Sequence, residues 1–152
     1  MVVALPAGEH AAMPLLRAAV VYFLCAFGAG FVLGALRVTL LVPRLGARTA
    51  ELLELPVMVA IVVVVARWRV QRTPAWSSAR QLAVGWLAWI LLLLAEFALA
   101  ALLDGRSPRE VLAAHDPVAA VAYYMATVVF ALAPWAVARR RTRRAVRAKL
   151  AS

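Results

Sequence analysis

Arg37, Glu54 and Glu96 are charged side chains set inside long apolar runs, and Tyr123 adds a phenol at a similar depth. An isolated charge near the centre of a hydrocarbon layer costs on the order of 2.5–3.5 kcal/mol, less toward the edge, so such groups are expected to pair. The stretch Gly30–Pro56, GFVLGALRVTLLVPRLGARTAELLELP, closes one apolar helix, turns at Pro43–Gly46 and opens a second. Arg37 and Glu54 lie almost equally far from that turn, so an antiparallel helix pair brings them level as an ion pair. One arginine against two carboxylates leaves an acid over: Glu96 is either shared in the cluster or carries a proton. A spare carboxyl in a dry layer is what a proton-coupled site requires, and a structural network can equally contain one. Glu51 is read as lying at the outer interface, where it favours the positive end of the second helix.

Four apolar runs must position these groups. The chain has 152 residues, of which 66% are hydrophobic, and a mean hydropathy of +0.88. A soluble domain of this size cannot hide that much apolar surface. A helix needs about 20 apolar residues to cross a bilayer. The expected spans are 15–42, 49–68, 82–103 and 117–138, forming one membrane domain over 1–138, with a basic cytoplasmic tail over 139–152. The second run is β-branched and short, and a re-entrant segment is its alternative; beside three other spans, a helix is the form that satisfies its own backbone groups in lipid.

The arginines set the expected sidedness. Arg17, then Arg67, Arg69, Arg72 and Arg80, then Arg139, Arg140, Arg141, Arg143, Arg144, Arg147 and Lys149 fall on one side, against the acid Glu9. The opposite loops hold Arg44, Arg48, Arg106 and Arg109 with most of the acids. Positive-inside bias predicts both termini in the cytoplasm. Trp68, Trp76, Trp86, Trp89 and Trp135 fall at or near the same interface, where amphipathic rings prefer to sit.

Ala26, Gly30 and Gly34 recur every four residues and form a smooth inward stripe that Arg37 continues; such stripes let helix backbones approach within a monomer or across a dimer. Arg67–Gln81 reads as a cytoplasmic loop with Pro74 and Ser77-Ser78 as breakers. Glu96 lies about 10 Å, and Tyr123 about 9 Å, below the outer boundary at helical rise. Ser107-Pro108-Arg109-Glu110 is a capping box that predicts a short helix over Pro108–Ala114, and Asp116 caps the fourth span ahead of Pro117. Met1–Met13 has no basic n-region and predicts no cleaved signal; Met13 is a second candidate start.

Other chemistries are not expected. His10 and His115 lie outside the spans, and Cys25 is the one cysteine, so neither paired haem ligation nor a metal site is read from the spacing. No cofactor is expected, nor an enzyme: no phosphate loop or nucleophile–base set appears. The basic tail, Arg139–Lys149, has no aromatic interleaving for base stacking, so its expected partner is anionic lipid headgroups rather than nucleic acid.

The pattern GFVLGALRVTLLVPRLGARTAELLELPVM, with HDPVAAVAYY later, resembles a family of small bacterial four-helix inner-membrane proteins of uncharacterised function. The resemblance falls on Gly30, Gly34, Arg37, Pro43, Gly46, Glu51, Glu54, Pro56, Asp116 and Pro117. It implies a multi-pass fold in the bacterial inner membrane and no activity. The chain is also similar in size to the small multidrug-resistance transporters, four-helix dimers whose essential glutamate lies in the first span, where this chain has no acid. The expectation is therefore an all-α, polytopic membrane four-helix bundle around a polar layer of Arg37, Glu54, Glu96 and Tyr123. Its leading role is a non-enzymatic accessory or structural protein, acting on the bilayer and on a membrane partner or second copy. The alternative is a small proton- or cation-coupled transporter using Glu54 and Glu96. A cavity reaching Glu96 favours transport, and a filled centre favours partner binding.

Overall fold

The apolar runs contain few glycines and prolines away from their ends, so each can satisfy its backbone as continuous helix. The computed structural model describes residues 9–104 and 117–151, and among them every regular element is helical. Helix α1 spans Glu9–Leu36, a π-helical turn covers Arg37–Leu41, and a short α2 covers Val42–Leu45. Then follow α3 (Ala47–Gln71), α4 (Ser78–Asp104) and α5 (Pro117–Leu150). Four helical stretches are long and apolar enough to cross a membrane: Ala12–Leu45, Ala47–Gln71, Ser78–Leu102 and Ala120–Leu150. Their outward faces carry large apolar side chains, among them Leu24, Val32, Val64, Leu94 and Met125. These features suggest a multi-pass membrane protein.

Several boundaries differ from the sequence reading. The expected turn at Pro43–Gly46 is concentrated on Gly46, with Pro43 still helical. Pro43 has no N–H for the Thr39 carbonyl and its ring crowds that oxygen, which accounts for the widened turn just before it. There the Val42 N–H bonds to the Arg37 carbonyl instead. Gly46 then reverses the chain at φ 77° and ψ 160°, a conformation essentially reserved for glycine. The loop expected over Arg67–Gln81 is far shorter, because α3 runs to Gln71 and α4 begins at Ser78. Ser77 caps α4, accepting from the Arg80 N–H at 3.3 Å. The segment 139–152, expected as a separate tail, continues α5 without a break to Leu150; it holds strong helix formers and neither Gly nor Pro. The capping box, the short helix over Pro108–Ala114, His115, Asp116 and residues 1–8 lie outside the described residues.

Around the bundle the order is α1, α3, α5, α4, so α3 and α4, although consecutive, sit diagonally. One end of the bundle is packed solid. Its core holds Ala18, Ala19, Tyr22 and Ala26 of α1, Val62 and Ala66 of α3, Val84 and Ala88 of α4, and Phe130 and Ala133 of α5. Alanines at these positions let helices approach closely where lipid supplies no hydrophobic drive. The tightest approach is at Gly85 on α4, where an added Cβ would lie 1.9 Å from the Ala131 carbonyl oxygen on α5.

Tyr22 closes this core across the diagonal. Pro134 lies inside α5 and has no N–H, so the carbonyl of Phe130 loses its helical donor. The Tyr22 hydroxyl supplies the missing bond, donating to that oxygen at 3.0 Å, while its ring stacks on Phe130 with centroids 4.7 Å apart. Tyr22→Phe keeps the stack and strands the carbonyl. Its expected effect is a loss of about 1–2 kcal/mol, checked by reversible unfolding in mild detergent.

Candidate functional site

The opposite end of the bundle is hollow. Arg37 stands at the start of the π-helical turn, and Glu51 and Glu54 share a face three residues apart at the start of α3. The reversal at Gly46 sets them against each other. Arg37 Nη1 lies 2.8 Å from Glu51 Oε1, and Arg37 Nε lies 2.8 Å from Glu54 Oε2. The Nε–H is not aimed along the second contact and makes no hydrogen bond, so Glu54 is held by charge rather than by a directed bond. The side chains retain 25% exposure at Arg37, 27% at Glu51 and 18% at Glu54. Glu51, expected only to start the helix at the interface, is thus a full member of the cluster. The signal was its spacing, since residues three apart on a helix face the same partner.

On the other side, Glu96 of α4 accepts a hydrogen bond from the Tyr123 hydroxyl of α5. Tyr124 packs edge-on against Tyr123, with centroids 5.5 Å apart. Glu96 is thus engaged by the phenol of α5, while Arg37 contacts Glu51 and Glu54.

Both polar clusters line one cavity of about 430 Å³. Its walls are otherwise mostly apolar and aromatic, including Phe27, Phe31, Met58 and Leu92, with the hydroxyl-bearing Thr127 among them, and Phe130 forms part of its lining. Since Phe130 also stacks on Tyr22, that pair separates the cavity from the solid end. Three carboxylates and one guanidinium stand among the described lining residues. A cavity of this volume is of the size that holds small organic ligands, and the mix of apolar wall with a few convergent polar groups is typical of such sites.

The small-residue stripe is only partly used. Ala26 is buried, and at Gly30 a Cβ would meet Met58 Cε of α3 at 3.3 Å. Gly34 faces nothing within 4 Å. The close approach falls on Gly85, which the four-residue stripe did not reveal; its signal was a lone glycine between Gln81 and Ala88 on the face that meets Pro134. Arg139, Arg140, Arg141, Arg143, Arg144, Arg147 and Lys149 are exposed on the far extension of α5, with Arg139 5.1 Å from the Trp135 ring centroid. Among the described residues no cluster of His, Cys, Asp and Glu could hold a metal ion.

No protein-family model, curated protein or solved structure matches the chain.

Proposed function

We propose that this chain is a multi-pass integral membrane protein of the bacterial inner membrane, with both termini cytoplasmic, that binds lipophilic organic cations and exchanges them for protons. The observation that carries the reading is the single cavity that joins Arg37, Glu51 and Glu54 to Glu96 and Tyr123. Among the described lining residues three carboxylates stand with one guanidinium, and carboxylates facing an apolar cavity offer a bound cation a charge partner that lipid does not. Phe27, Phe31 and Phe130 offer apolar surface and ring faces to the same ligand. Glu96 can hold a proton or neutralise a cation, and the exchange balances when one proton leaves its carboxyl as one positive charge takes its place. Tyr123 orients that carboxylate, and Arg37 keeps Glu51 and Glu54 from repelling each other. The reading is non-enzymatic and requires no cofactor.

A second reading, an accessory protein acting through its basic face, draws support from the unbroken basic extension of α5. Proteoliposomes separate the two. With an imposed proton gradient, the wild type is expected to drive uptake of tetraphenylphosphonium that exceeds protein-free vesicles. Glu96→Gln should remove at least about nine-tenths of it while leaving folding intact. Uptake equal to that of empty vesicles, or unaltered by Glu96→Gln, overturns exchange and leaves the accessory reading.

A further inference from the structure

A second concavity lies at the solid end, on the outer side of the α1–α3 contact. It is a groove of about 760 Å³ between the first turns of α1 and the last turn of α3. Arg17, Arg69 and Arg72 line it together with the indoles of Trp68 and Trp76, and no carboxylate occurs among its described lining residues. We propose that this groove is a binding site for an anionic phospholipid, its phosphate held by Arg17, Arg69 and Arg72.

Arg69 and Arg72 are positioned rather than trailing. Arg69 Nε donates to the Ala18 carbonyl at 3.5 Å, which ties the last turn of α3 to α1 and leaves the two terminal nitrogens as donors. The Arg72 guanidinium lies 4.4 Å from the Trp68 ring centroid. A guanidinium resting on an indole keeps its N–H groups in its own plane, where they can fork onto phosphate oxygens. The Arg69 and Arg80 guanidiniums lie 5.8 Å and 4.1 Å from the Trp76 ring centroid, so that ring too packs against cations. On α1 the apolar Met13, Leu16, Val20 and Val21 line the groove on either side of Arg17 in sequence.

That combination selects the occupant. A free phosphate would use the arginines and leave the apolar wall wet. A neutral lipid would use the wall and leave three cations without a counter-charge. An anionic phospholipid satisfies both, and cations near a membrane surface attract such lipids. The site is separate from the α5 extension and from the central cavity; it rests on the membrane reading but not on cation exchange.

Native mass spectrometry of the full chain in a neutral detergent tests it, with phosphatidylglycerol, phosphatidylcholine and inorganic phosphate as probes. One tightly held phosphatidylglycerol is expected, preferred over phosphatidylcholine by roughly 10-fold or more, with no retained phosphate. Arg17→Gln/Arg72→Gln should erase that preference, whereas Arg140→Gln/Arg143→Gln/Arg147→Gln should keep it. Equal retention of the two lipids by the wild type overturns the site without needing any variant to fold. So does a preference that survives the first set of substitutions or disappears with the second. A chain recovered without detergent as a soluble monomer would instead overturn the membrane reading beneath it.

Discussion

Arg37→Met is expected to destabilise the fold by about 2–4 kcal/mol, read as a shift in reversible unfolding in mild detergent. Removing one partner of a fully buried ion pair typically costs about 3–5 kcal/mol, and the residual exposure of these side chains lowers that figure. The loss arises mainly from what remains: Glu51 and Glu54 would face each other across one helical turn without the guanidinium that touches both. Arg37→Lys should recover part of the stability, since an ammonium keeps the charge but cannot fork onto two carboxylates. Arg37→Met/Glu51→Gln/Glu54→Gln should return to within about 1 kcal/mol of wild type, because no uncompensated charge is left. If the triple variant is as unstable as the single one, the arginine acts through packing and the charge argument is wrong.

Gly85→Ala should be comparably damaging, although it adds only a methyl group. The new Cβ would lie 1.9 Å from the Ala131 carbonyl oxygen and 2.9 Å from its carbonyl carbon. Both atoms are backbone, and an ordinary carbon–oxygen contact is about 3.3 Å or longer, so α4 and α5 must separate by an ångström or more. The expected destabilisation is about 3 kcal/mol, with the Pro134 contact and the Tyr22–Phe130 seal disturbed at the same time. Gly34→Ala is the internal comparison. Its Cβ meets nothing within 4 Å, so it should be neutral or stabilise by up to about 1 kcal/mol through better helix propensity. Equal effects at the two glycines, measured by folded yield and unfolding midpoint, would show that the bundle does not cross where Gly85 sits.

These two glycines show how far the sequence could be read. The spans were legible because lipid imposes a length and an apolar composition on any helix that crosses it. The level of Arg37 and Glu54 was legible because a hairpin conserves distance from its turn. Which glycine takes the close contact was not, because the stripe of Ala26, Gly30 and Gly34 predicts a smooth face without saying where another helix meets it. A Cβ at Gly34 meets nothing within 4 Å. Likewise Glu96 could be placed in depth from its position in the span, but its partner depends on how α4 and α5 rotate against each other, which periodicity alone does not fix. The Tyr22–Phe130 bond was latent in Pro134, since a proline inside a helix always frees a carbonyl; what was missing was the diagonal neighbour that takes it.

The packed end and the hollow end differ in construction. Tight alanine packing, Gly85 and the Tyr22–Phe130 pair close one side of the cavity, while Arg37, Glu51, Glu54 and Glu96 line the cavity itself. In the proposed exchange, a ligand reaching Glu96 from the hollow end can proceed only if that seal yields, and Pro134 marks the place in α5 where the helix has one backbone bond fewer to break.

The most direct measurement is equilibrium binding to the purified protein of two ions with nearly the same shape and opposite charge, tetraphenylphosphonium and tetraphenylborate. The cavity as described should bind one cation per chain and discriminate against the anion by at least about 100-fold, the ratio that a preference of about 3 kcal/mol for the positive ion produces. Cation affinity should fall as the pH is lowered and protons compete, by up to tenfold per pH unit, and Glu96→Gln should flatten that dependence. Equal binding of the two ions, or cation binding indifferent to both pH and Glu96→Gln, would contradict the account.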